Sequence, residues 1–279
     1  MKTTFYSPQN KNLLSRLVQE IFLGFKEGRE LAYRLFIRDL KGGYKKSFLG
    51  IVWLFIPPLF TAGIWIFLNG QNVVSIQGAP MDYAAFTLCG TILWSFFAEA
   101  LNKPIQRYQG AMSMMSKLNF PREALILASI YDQLFSLLLK LLVLVPILWI
   151  LGYPPSGTWI FGLIGILGLL ITGISIGLMM APLGLLYNDI GKALPLILPF
   201  AMYLSPVIYP LREGGNFLKL QALNPVTPFL EFSRSSLGGY SFNLSHELIL
   251  WSGVVVFLFF FSLLLVKIAM PIIVERNGS

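Results

Sequence analysis

Few residues in this chain are able to do chemistry, and they are widely separated. Asp132, Ser136 and Lys140 stand four apart inside a long apolar run, and Glu99 stands near the end of the run before it. A spacing of four brings neighbours onto one helix face. Such a set could move protons, or it could close a helix bundle as an internal ion pair. Ionisable residues at membrane depth are functional by default, yet the internal pair is the simpler reading. Asp132 or Glu99 could also be the acid–base group of a membrane enzyme acting on a polyprenyl lipid, but the polar residues do not converge as such an enzyme needs. No catalytic residue is therefore assigned. With His246 as the one histidine and Cys89 as the one cysteine, neither a Cys- or His-based metal centre nor an intrachain disulfide is expected. GGYKKS at 42–47 lacks the spacing of a phosphate-binding loop, and Gly191-Lys192 is followed by Ala193. No cofactor is expected on this chain, and any ATP used would bind elsewhere.

A second concentration of chemistry is basic. Arg38, Lys41, Lys45 and Lys46, with Tyr44 among them, stand directly before an apolar run that holds Trp53 and Pro57-Pro58. At the headgroup level such a cluster would meet anionic lipid or a lipid diphosphate; it would equally well set topology. Ten of the 21 Lys and Arg precede residue 47, and Lys103, Arg107, Lys117 and Arg122 share one later connection. Bases gathered at the ends of apolar runs point to a membrane surface and away from nucleic acid, despite the net charge of +8.

The elements that must position these residues are membrane helices. Charged residues make up 12% of the chain, against about 25% in soluble domains. With 56% hydrophobic residues and a mean hydropathy of +0.70, the main solvent is lipid. Spans of about 20 apolar residues are expected near 49–69, 82–101, 124–151, 158–184, 193–211 and 247–270. The fold class is thus an all-α membrane protein with six transmembrane helices. It divides into a cytoplasmic region 1–48, one transmembrane domain 49–271 and a cytoplasmic tail 272–279. The distribution of Lys and Arg puts both termini inside. No cleavable signal is expected, since the first 12 residues are polar. Apolar positions at helical spacing predict two amphipathic interface helices within 11–27 and 30–40, before Gly42-Gly43 turns the chain into the first span.

Three further stretches carry candidate sites. Tyr83, Phe86, Gly90, Trp94 and Phe97 form a stripe on the second span; such aromatics could line a sugar path or face lipid. In the loop 102–123, Met112, Met114 and Met115 offer an adaptable apolar surface between Arg107 and Lys117, with Phe120-Pro121 and Arg122 following. That loop is either a docking helix or a solvated connector. In the outer segment 212–246, Asn224-Pro225 reads as a helix start and Gly238-Gly239 as a stop. Glu231 and Arg234 are spaced to pair, and Phe229 and Phe232 could dip toward the membrane, as in short re-entrant or gate helices.

Arg38-Asp39-Leu40-Lys41, Tyr44-Lys45, Ser47-Phe48-Leu49-Gly50, Trp53 and Pro57 resemble the opening motif of polysaccharide-export permeases, the membrane subunits of ATP-binding-cassette exporters for O-antigen, teichoic acid and capsule. Asn119-Phe120-Pro121-Arg122-Glu123, Tyr187-Asn188-Asp189-Ile190 and the Asn224-Pro225 stretch follow in the family's order, and the likeness runs from residue 28 over nearly the whole chain. The resemblance implies a bacterial inner-membrane protein working as two permeases with two ATPase subunits, which hold the ATP and Mg. It further implies a coupling helix within 106–120, a channel between the permeases capped by residues 224–238, and a glycan carried on a polyprenyl diphosphate. The basic cluster would then lie where the diphosphate enters, with Tyr44 placed to stack on the first sugar. A drug or lipid exporter on the same fold is the near alternative.

Overall fold

The computed structural model describes residues 13–45, 48–74, 76, 78–118, 120–187, 189–211, 221 and 223–278. Its regular elements are α1 (Leu13–Lys45), a 3₁₀ turn (Gly50–Leu54), α2 (Ile56–Gly70), α3 (Tyr83–Gly110), α4 (Met112–Met115), α5 (Glu123–Ile150), α6 (Trp159–Leu186), α7 (Asp189–Leu204), α8 (Val226–Gly238) and α9 (Ser245–Gly278). No strand occurs among the described residues. Four of these helices, α3, α5, α6 and most of α9, are long and apolar enough to cross a membrane. α2, at 15 residues, and α7, at 16, are shorter.

Boundaries move from those expected for identifiable reasons. α1 is one helix of 33 residues where two were expected. Gly28, between the two expected stretches, lies against the backbone of Ala124, where a Cβ would sit only 3.0 Å from that residue's own. The contact with α5 offsets the roughly 1 kcal/mol that glycine costs a helix interior. The helix also runs through Gly42-Gly43 rather than turning there. The first apolar run is divided because Pro57 and Pro58 occupy the first turn of α2 and cannot be preceded by continuous α-helix. α3 extends past the expected end at 101, through Pro104 to Gly110, because its polar last turns find partners on α1 and α5. Of the expected tail 272–279, residues 272–278 belong to α9, and residue 279 lies outside the described residues.

α3 and α6 pack side by side at the centre and are mostly buried; α5 and α9 keep much of their apolar surface outward. Glycines make the close approaches possible. Gly173 and Gly177 of α6 admit Ala100 and Leu101 of α3, while Gly165 and Gly168 admit Ser233 and Phe229 of α8. Gly168 lies nine residues along α6 from Trp159, about 14 Å at ~1.5 Å per residue and near half the ~30 Å hydrocarbon thickness. α8 packs against this half of α6, and nearly all of its residues are buried in protein, the condition under which a non-spanning helix survives at membrane depth.

Candidate functional site

A cavity of about 870 Å³ runs between α1, the 3₁₀ turn, α2, α3, α5 and α7. Its spine is one face of α3: Thr91, Ser95, Glu99, Asn102, Lys103 and Gln106 recur at three- and four-residue steps. From Thr91 to Gln106 that face covers about 22 Å. α5 adds Asp132, Gln133 and Ser136, and the end of α1 adds Asp39. The opposite wall is apolar and aromatic, with Trp53, Pro57, Pro58, Leu198, Met202 and Tyr203. Trp65 of α2 meets Tyr203 of α7 with ring centroids 6.1 Å apart, joining the two short helices behind it.

Two ion-pair groups hold the polar wall. Lys140 donates to Glu99 Oε1 at 2.7 Å and to Ser95 Oγ at 2.8 Å, and Ser136 donates to Glu99 Oε2 at 2.7 Å. Nearer the Gly110 end, Arg107 bridges Asp132 and Asp39, the latter at 3.0 Å. Lys103 also reaches Asp132 at 3.2 Å, and Arg38 reaches Asp39 at 2.7 Å. The side chains of Lys140 and Arg107 are only 2% and 4% exposed, whereas Glu99 and Asp39 are about one third exposed. Lys140 and Arg107 are thus recessed, whereas Lys103, 36% exposed, stands on the cavity wall with Glu99 and Asp39, and Asp132 is 11% exposed. Asp132, Ser136 and Lys140 do share a face, but each binds across to α3 instead of to one another. Glu99 and Asp132 serve as ion-pair partners, consistent with the bundle-closing role.

Past Thr91, the Tyr83 end of α3 meets α8. Glu231 and Arg234 form the expected pair, fully buried. Arg234 also donates to the carbonyls of Pro206 at 2.8 Å and Val207 at 3.1 Å, and its guanidinium lies 3.5 Å from the centroid of the Phe86 ring. Tyr240 donates to Glu231 Oε1 at 2.9 Å. Burial pushes the Tyr240 phenol up from its ordinary range, so it stays protonated and able to donate. Gly90 lies so close to the Val207 carbonyl that no Cβ fits. Arg234 thereby fastens α8, the 205–208 turn and α3 into one seal next to the cavity's end. Asn224 Oδ1 accepts from the Val226 amide at 3.0 Å, and Gly239, with φ +71°, closes the helix. Both helix signals in the sequence fall where they were expected.

The family model for ABC-2 type transporters matches residues 30–238, most of the chain. The chain belongs to that family. This ABC-2 transporter is also similar to an O-antigen export system permease protein RfbA of Klebsiella pneumoniae, 27% identical over 173 residues. That match covers 62% of the transporter and 66% of the Klebsiella protein, just under two thirds of its length. An RfbA of Myxococcus xanthus is 26% identical over 224 residues, covering 77% of the transporter and 81% of the relative. The polysialic acid transport protein KpsM of Escherichia coli is 22% identical over 218 residues, covering 77% and 83%.

The other sequence candidates fall as follows in the ABC-2 transporter. Arg38 and Lys41 are exposed near the end of α1; Tyr44 and Lys45 lie in its last turn, and Lys46 lies outside the described residues, as do Asn119 and Asn188. Of the aromatic stripe, Trp94 lines the cavity, Phe86 is wholly covered, Phe97 is buried against Trp94 at 5.2 Å, and Tyr83 is half-buried. The loop 102–123 is largely helix, leaving α4 as a single turn. Arg107 is turned inward to its carboxylates and Met115 is buried, so neither presents a surface. Met112, Met114, Phe120 and Arg122 are half-buried, whereas Lys117 and Leu118 are exposed. Phe229 packs on Gly168, Phe232 meets Phe242 edge-on at 5.0 Å, and Pro225 starts α8.

Proposed function

We propose that this ABC-2 transporter is the membrane half of an ATP-driven exporter that moves a lipid-linked, O-antigen-like polysaccharide across the bacterial inner membrane. The observation that carries the reading is the long cavity along α3 from Gln106 to Thr91, with α8 packed on α3 beyond its Thr91 end. A chain of linked sugars needs such an extended path, polar on one wall and aromatic on the other, with an outer stop. The names of the Klebsiella, Myxococcus and Escherichia relatives support polysaccharide as the cargo class.

In this reading α2 and α7 complete six spans, with both termini cytoplasmic where Lys and Arg concentrate. Two copies work with two ATPase subunits, which bind ATP and Mg. The α4 turn, with Lys117 and Leu118 exposed, receives the ATPase; α8 is the outer gate; and the bases from Arg38 to Lys46 meet the lipid diphosphate at the cytoplasmic headgroups. Deleting the gene tests the cargo. Surface polysaccharide should vanish while the lipid-linked glycan accumulates in the inner membrane. Unchanged surface polysaccharide beside an altered lipid or drug efflux profile would replace this reading with the lipid or drug exporter.

A further inference from the structure

We infer that a second cavity, between α1, the start of α5 and the far part of α9, holds the headgroup of a phosphatidylethanolamine from the surrounding bilayer. The site goes beyond the export reading and does not depend on its cargo. The void measures about 590 Å³, within the roughly 300–1,000 Å³ of small-molecule sites. Its depth follows from α9. Lys267, on its wall, lies 22 residues along that helix from Ser245, about 33 Å at ~1.5 Å per residue and just beyond one ~30 Å hydrocarbon thickness. With Ser245 at one membrane surface, Lys267 therefore reaches the headgroups of the other. Leu263 lines the same void one turn back along α9, and Ile126 lines it one turn into α5 from Arg122 and Glu123. The wall thus changes from charged to apolar in the direction that a phospholipid does.

Five charged residues line this void: Glu20, Glu27, Arg122, Glu123 and Lys267. Lys267 donates to Glu123 at 2.7 Å, and Glu20 pairs with Arg16 at 3.1 Å along α1. Gly24 leaves room for the Glu123 carboxylate, which a Cβ there would strike. α1 and α5 are therefore in firm contact beside the void, and the void is not loose packing between them. Arg122 and Glu27 remain. Both line the cavity, yet neither side chain makes an ion pair or hydrogen bond with the other or with any further described residue.

A cation and an anion on one wall, placed too far apart to pair, complement a zwitterion. The phosphate of phosphatidylethanolamine accepts from the Arg122 guanidinium, whose fork suits it, and its ammonium donates to the Glu27 carboxylate. The acyl chains leave along Ile126 and Leu263. Phosphatidylglycerol brings the phosphate without the ammonium and leaves Glu27 unmatched. Phosphatidylcholine keeps the positive charge but has no N–H to donate.

The test uses the full chain, delipidated in a mild non-ionic detergent, with native mass spectrometry as readout and these three lipids as probes. One phosphatidylethanolamine per chain should be retained, with the other two lipids weaker by about fivefold. Glu27→Gln should lower phosphatidylethanolamine to the level of phosphatidylglycerol, and Glu27→Lys should reverse the order of the two. Arg122→Gln should weaken all three by about fivefold, whereas Lys117→Gln, an exposed cation outside the cavity, should change none of them. If Arg122→Gln does not fold, Glu27→Lys, at an exposed position, carries the test alone.

Equal retention of the three lipids by the wild type overturns the inference, as does an order that Glu27→Lys leaves unchanged; either would reduce the site to a non-selective lipid contact. Displacement by water-soluble glycerophosphoethanolamine at the lipid's own concentration also overturns it, since the apolar wall would then contribute nothing. None of these results bears on the gene-deletion test, so failure of this site and failure of the export reading are told apart.

Discussion

At the residue scale, the pair between Lys140 and Glu99 is asymmetric, and that asymmetry is testable. Lys140 is 2% exposed and Glu99 33%. Glu99→Ala strands a buried cation and should cost about 3–5 kcal/mol. Lys140→Met removes the buried charge and leaves Glu99 facing the cavity, where water can solvate it, so the loss should stay near 1 kcal/mol or less. Unfolding midpoints in mild detergent should order wild type, then Lys140→Met, then Glu99→Ala; equal losses would show that burial does not govern the pair. A second expectation concerns Arg234, which anchors α8, Phe86 and the Pro206 and Val207 carbonyls together. Glu231→Ala leaves that guanidinium without its counter-charge and should also cost several kcal/mol, whereas Glu231→Gln keeps a hydrogen-bond acceptor and should lose less. The same unfolding assay separates them. The i,i+3 spacing of Glu231 and Arg234 made their pairing legible in advance. The pairing of Lys140 with Glu99 required knowing that α5 lies against α3.

At the element scale, α8 is held by the absence of side chains on α6. A Cβ on Gly168 would collide with the Phe229 ring, so Gly168→Leu should displace α8 at a cost of about 1–3 kcal/mol or more. Phe229→Val in the same chain should restore part of the loss, as a double-mutant cycle on thermal unfolding would register. Gly63→Ala on α2, where nothing lies within 4 Å, should be neutral or stabilising by up to about 1 kcal/mol. α4 makes the opposite point. Its apolar methionines suggested a docking face, but Met115 packs inward and Leu118, 60% exposed, takes the surface instead. Leu118→Asp should cut the ATPase co-purifying with the tagged chain to roughly a tenth, while Ser156→Asp in a connection at the other end of α5 should leave it unchanged. Equal recovery with both variants would remove α4 from the ATPase contact.

At the scale of the whole molecule, the distribution of charge and the placement of α2 and α7 make topology the decisive property. In a Cys89→Ser background, cysteines at Val73 and Ser156 should react with a membrane-impermeant maleimide in intact spheroplasts. A cysteine at Ser116 should react only after lysis. Labelling of Ser116 from outside would invert the orientation and detach α4 from any cytoplasmic partner. The ion pairs linking α1, α3 and α5 tie the α4 end of α3 to the cavity wall, because Arg107 lies three residues before α3 ends at Gly110 and binds Asp39 and Asp132 at once.

Composition alone determined that lipid is the solvent, because a chain with so few charges cannot cover its surface against water. Apolar run lengths located α3, α5, α6 and α9, and local signals at Asn224 and Gly239 bounded α8, since these depend on neighbours in the chain. The sequence did not reveal that α1 is unbroken, that α3 continues past the apolar run, or that Phe86 is covered by Arg234. Each of those depends on a partner distant in sequence: Ala124 beside Gly28, Asp39 and Asp132 beside Arg107, and the 205–208 turn beside Gly90. Tertiary packing alone chose which polar residue faces the cavity and which lies behind it, because an ion pair's exposure is set by the helices around it and not by its spacing.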